Sequence, residues 1–141
     1  MIELLVVMTL LIFIAGFAML MTMDSYRGYS YRTELNTAVS VLQKARSQAI
    51  NNINQQPHGV HIDTVNNQYV IFQGLPYSAT APTNVYIPFV TSNTNLQHIG
   101  LSEVSFSQLT GYAAVTGGNL TLKDATHSEV ISLNNEGQIS W

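Results

Sequence analysis

Twenty residues from Leu4 to Met23 carry no charge and are broken only by Thr9, Gly16 and Thr22. This stretch constrains the fold more than any other. As a helix it rises about 30 Å, the thickness of the hydrocarbon core of a bilayer. Helices buried in soluble domains rarely stay apolar on every face for so long, so residues 1–23 are expected to form a transmembrane segment. Glu3 stands at the lip of the run. A carboxylate there is either solvated at the interface or paired, because an isolated charge in hydrocarbon is costly. No basic region precedes the run and no small-residue cleavage site ends it, so the segment is expected to persist in the working protein.

The helical pattern continues past the apolar run. Asp24-Ser25-Tyr26-Arg27 places a tyrosine and an arginine at interface depth. Tyr26, Tyr29, Leu35, Ala38/Val39, Leu42, Ala45, Ala49/Ile50 and Ile53 then recur at steps of three or four, the spacing of one helical face. Arg32, Asn36, Gln43, Arg46 and Gln48 fall on the opposite face. No proline occurs before Pro57, so one helix is expected from about residue 2 to residue 53, and residues 24–56 make its amphipathic half. Asparagines at 51, 52 and 54, with Pro57 behind them, end it.

Residues 57–141 read as strands. Val60–Val65 and Gln68–Gln73 flank Asn66-Asn67 as a hairpin. Val85–Val90 is an edge strand because Pro88 cannot donate to a ladder. Asn93–Gln97 reads as a connection, and Glu103–Leu109, Tyr112–Thr116 and Asn119–Lys123 follow. Glu129–Leu133 and Gln138–Trp141 pair across the turn Asn134–Gly137. The expected class is α+β: a long N-terminal helix, transmembrane and then amphipathic, packed on an antiparallel β-sheet domain.

Charge narrows the function. Only 9% of residues are charged, far below the quarter usual for soluble domains. Residues 24–53 carry Arg27, Arg32, Lys44 and Arg46 against Asp24 and Glu34, whereas residues 54–141 carry Lys123 alone against five acids. An acidic distal part is a poor footprint for nucleic acid, so DNA is not a favoured partner, and Arg27, Arg32, Lys44 and Arg46 are the weak contact candidates. There is no cysteine. His58 and His61 lie across a helix end and a strand start, and His98 and His127 stand alone. Without converging ligands these four read as solvated or capping side chains, and no metal or cofactor is expected. Neither a Gly-x-Ser-x-Gly elbow nor a phosphate-binding glycine loop occurs, so no catalytic residue is assigned.

Met1-Ile2-Glu3-Leu4-Leu5-Val6-Val7 resembles the N-terminal motif of type IV pilins and type II secretion pseudopilins. In that family a run of Phe-Thr-Leu-Ile-Glu-Leu-Leu-Val follows the cut made by a prepilin peptidase. Met1-Ile2-Glu3 corresponds to the Leu-Ile-Glu portion, and the Gly-Phe-Thr that precedes it in the family has no counterpart in this sequence. Ala45-Arg46-Ser47-Gln48-Ala49-Ile50, Gly59-Val60-His61-Ile62 and the closing Ile131–Ile139 resemble H-type pseudopilins and FimT-like minor pilins.

The resemblance implies a non-enzymatic structural subunit of a type IV pilus or type II secretion-like filament. It would be processed as a prepilin, N-methylated and assembled from the membrane. Glu3 would meet the N-terminal amine of a neighbouring subunit, a pairing strengthened by a low dielectric. Leu4, Leu5, Val6, Val7, Leu10, Leu11, Phe13, Ile14, Phe17 and Leu20 would line the membrane and then the filament core, and Gly16 would be a soft point of the helix. The implied partners are other pilin or pseudopilin subunits, the prepilin peptidase, the inner-membrane assembly platform and, before assembly, membrane lipid. The implied location is the cytoplasmic membrane, single-pass, with the β-domain outside the cytoplasm, and afterwards a surface or periplasmic filament. Two alternatives stand beside this: a pilus-tip subunit for DNA uptake, and a permanently anchored protein whose β-domain binds a ligand or acts as an enzyme.

Overall fold

The computed structural model describes residues 2–90, 96–114 and 118–141, and their side chains apart from those of residues 18–27. Helix α1 (Ile2–Ile50) runs without a break for 49 residues, roughly 74 Å. It ends three residues before the expected point. Asn52 takes a left-handed backbone (φ 54°), and Asn54 and Gln55 do the same within a short 3-10 turn, Ile53–Gln55. The Ala49 carbonyl at the helix end accepts from the Asn52 amide at 3.1 Å and from the Leu109 amide at 3.0 Å.

Eight strands follow: β1 (His58–Asp63), β2 (Gln68–Gln73), β3 (Val85–Pro88), β4 (Gln97–Gly100), β5 (Glu103–Phe106), β6 (Gly118–Lys123), β7 (Ser128–Leu133) and β8 (Ile139–Ser140). They form two four-stranded antiparallel sheets, ordered β3-β2-β1-β5 and β4-β6-β7-β8. The β1–β2 hairpin pairs Asp63 with Gln68, and β3 lies at an edge as Pro88 requires. Strand β4 was not foreseen; Gln97, read as loop, opens it. Residues 93–95 of that expected connection lie outside the described residues, as do Val115 and Thr116 of the Tyr112–Thr116 run. Ala113 of that run makes only an isolated bridge to Phe106.

Gly100 decides the split into two sheets. It has φ +103°, and a Cβ there would overlap the Asn119 carbonyl oxygen. The chain therefore turns between β4 and β5, and the two strands pair with different sheets. Gly59 stands opposite Phe72 in the ladder, where a side chain would overlap the Phe72 ring and the Val104 carbonyl.

One core joins all three layers. α1 contributes Tyr31, Leu35, Ala38, Val39, Val41, Leu42, Ala45 and Ala49. The first sheet adds Val60, Ile62, Tyr69, Ile71, Val104 and Phe106, and the second adds Leu120, Leu122, Ile131 and Leu133. Two sheets against one helix cover a wide arc, which corrects the expected helical stripe. Tyr31, Glu34 and Val41 are buried, whereas Tyr29 is 72% exposed and Ile50 and Ile53 are largely uncovered. Among the described side chains, burial of the helix under the β-domain starts at Ser30 and Tyr31. Tyr26 lies outside the described side chains.

Among the described residues no helix is long and apolar enough to cross a membrane. The described apolar side chains run from Ile2 to Phe17, about 24 Å of rise; residues 18–23 of the expected span lie outside the described side chains.

Candidate assembly surface

From Ile2 to Phe17 every residue of α1 is exposed. Twelve of these are large apolar side chains, among them Leu4, Leu5, Val6, Val7, Leu10, Leu11, Phe13, Ile14 and Phe17. Leu20 lies outside the described side chains. The helix satisfies its own polar groups here: Thr9 Oγ1 donates to the Val6 carbonyl at 2.9 Å, so its hydroxyl needs no outside partner. Phe13 and Phe17 meet with ring centroids 5.5 Å apart. Gly16 has open space around it, so nothing within the chain requires a glycine there. Glu3 sits in the first turn, where the helix dipole favours an anion. A contiguous apolar surface of this kind marks an interaction site, because water is its least favourable environment.

The basic residues do not converge. Arg32 and Lys44 are exposed but lie about 120° apart around the helix axis. Arg46 is half-buried and committed to backbone: its Nη2 donates to the Glu136 carbonyl at 3.1 Å, and its Nε to that of Gly111 at 3.4 Å. Arg27 lies outside the described side chains.

The histidines also depart from expectation. His58 and His61 both lie on β1 and, three residues apart, face opposite sides of the sheet. His58 is buried, which pushes its ring down in pKa, and its Nδ1 lies 3.0 Å from the Gln56 carbonyl. His127 stacks on the buried Tyr31 at 4.9 Å and meets Asp124 at 3.3 Å. Tyr31 is a core residue, and its hydroxyl donates to the Leu122 carbonyl at 2.9 Å.

His98, read as solvated, is buried against a carboxylate. Its Nε2 lies 3.1 Å from Glu34 Oε1 and 2.9 Å from the Tyr69 hydroxyl. The Tyr69 hydroxyl donates to Glu34 Oε1 at 2.6 Å, and the Val90 amide donates to Oε2 at 2.6 Å. The Glu34 side chain is 0% exposed and that of His98 4%. Burial raises the Glu34 carboxyl, but hydrogen bonds from His98, Tyr69 and Val90 outweigh it and hold the group below its ordinary range. Burial and the neighbouring Glu34 push the Tyr69 phenol far upward, so it stays a donor. The sequence signal for this cluster was the place of Glu34 between Tyr31 and Ala38, an acid at core spacing on the helix.

No family model and no curated protein sequence matches the chain. Among solved structures it is similar to the type IV minor pilin FimU of Pseudomonas aeruginosa (strain PAO1), with a TM-score of 0.58 and 15% identity. The similarity covers 77% of this chain and 90% of the FimU chain. A long N-terminal helix packed on an antiparallel β-domain, in this arrangement, is a type IV pilin-like fold.

Proposed function

We propose that the chain is a structural subunit, a minor pilin or pseudopilin, of a type IV pilus or type II secretion-like filament, assembled through the N-terminal half of α1. The observation that carries this reading is the fully exposed apolar helix from Ile2 to Phe17, projecting from a domain whose own core begins at Tyr31. Burying one large apolar side chain contributes about 1.5–3 kcal/mol, so twelve of them demand a cover. Lipid supplies it before assembly and neighbouring helices afterwards. In this reading the chain starts as a single-pass protein of the cytoplasmic membrane with the β-domain outside the cytoplasm. The prepilin peptidase and the assembly platform act on its N-terminal end. The resemblance to H-type pseudopilins and FimT-like minor pilins narrows the reading to a minor component. Glu3 supplies the charge that docks an incoming subunit.

Shearing and fractionation of cells test the assignment. The chain is expected in the filament fraction, and Glu3→Ala is expected to retain it in membranes. Persistence of the unaltered chain in membranes under conditions that build filaments would instead favour the permanent anchor. Equal incorporation of Glu3→Ala would remove the docking role. For the DNA-uptake alternative, a salt-dependent mobility shift that is lost on replacing Arg32 and Lys44 is the required outcome.

A further inference from the structure

We propose that Glu34, Tyr69 and His98 form an acid-released latch that holds Val90, just after β3, and His98 of β4 against α1. Three elements meet at one carboxylate. α1 supplies Glu34, β2 supplies Tyr69 and β4 supplies His98, while the chain leaving β3 supplies the Val90 amide. Phe89 closes the site, stacking on His98 at 4.0 Å and tilting against Tyr69 at 4.6 Å. These are the titratable groups that face Glu34 from the described residues packed against it.

The chemistry makes the latch one-sided. Glu34 as a carboxylate accepts only: the Tyr69 phenol and the Val90 amide donate to it, and His98 Nε2 joins them when it carries the ring proton. A protonated Glu34 loses the negative charge that strengthens these bonds, and a hydrogen on Oε2 opposes the Val90 amide while one on Oε1 competes with the Tyr69 hydroxyl. Either way a charge-assisted bond to a buried donor is weakened or lost. The sign follows from the direction of the Glu34 shift. A carboxyl held below its unfolded value stabilises the fold above the ordinary glutamate range, and that stabilisation is lost as pH falls through the folded value. The first group released is the Val90 amide, which follows β3 and is held by Glu34 Oε2, whereas Gln97 and His98 are also held by their pairing with β6.

Hydrogen exchange of the full chain in detergent micelles, corrected for intrinsic rates over a series of pH values, tests this. Protection at Val90 is expected to fall roughly tenfold or more in acid, while β1 and β2 keep theirs. Glu34→Gln places an amide –NH2 where an acceptor is needed; it should lose that protection at neutral pH and abolish the acid step. Tyr69→Phe removes one donor and should move the step to higher pH. The latch is refuted if protection at Val90 falls only together with that of β1 and β2, or if Glu34→Gln behaves as the unaltered chain. Should Glu34→Gln not fold, an unmoved step in Tyr69→Phe refutes it equally.

Discussion

Asp63 shows how one side chain can set a connection. Its Oδ1 accepts from the Val65 and Asn66 amides, and its Oδ2 from the side chains of Asn66 and Gln68. These bonds, the Asn66 side chain foremost, lower the carboxyl from 3.8 to about 2. The contribution of Asp63 is therefore complete above about 4 and is lost as pH falls towards 2. The Asn66 amide shift in an NMR titration is expected to follow this carboxyl with a midpoint near 2, and Asp63→Ala is expected to erase the transition. Tyr31 acts in the core instead. Tyr31→Phe keeps the ring against His127 but removes the hydroxyl bond to the Leu122 carbonyl, at an expected cost of about 1 kcal/mol. Denaturant midpoints at unchanged slope would measure it.

At the scale of elements, α1 and the closing hairpin are joined by one arginine. Arg46 donates to the carbonyls of Gly111 and Glu136, and Gly137 beside it takes φ +73°, a conformation few other residues accept. Arg46→Ala is expected to destabilise the domain by about 1–2 kcal/mol and to speed exchange at Gly137 and Ile139 before it affects β1. Arg46→Lys should recover little, because one ammonium on a flexible stem does not reproduce the two-point guanidinium geometry. Equal protection loss across both sheets would show that Arg46 supports the whole core rather than this junction.

For the whole molecule, the division of labour along α1 makes a direct prediction. Among the described side chains the first buried ones are Ser30 and Tyr31, and none of the residues from Ile2 to Phe17 is buried. A chain of residues 29–141 is expected to fold as a soluble monomer with both sheets intact. The full chain is expected to associate or to require detergent. Circular dichroism and size-exclusion chromatography on the two forms decide this, and a shorter chain that aggregates or unfolds would show that the apolar half supports the domain.

The apolar run, the heptad-like spacing to Ala49, the asparagine stop, the β1–β2 and β7–β8 hairpins and the edge position of β3 were legible in the sequence. Each follows from local chemistry: uncharged length, side-chain period, left-handed tolerance and a proline without a donor. What escaped was set by distant partners. Gly100 carried no signal in the sequence, and the close approach of the Asn119 carbonyl makes it the corner between two sheets. Glu34 entered only as one charge among several and His98 read as a solvated or capping ring, yet the two, 64 positions apart in the chain, meet at 3.1 Å. Arg46 looked free for a ligand until two backbone carbonyls, 65 and 90 positions away, took its donors. The sequence by itself determined that a long apolar helix would lead into a β-domain, because hydrophobic length and periodicity are properties of neighbours along the chain. Only the tertiary structure decided which charges were buried and paired, because burial is determined by elements that arrive from elsewhere.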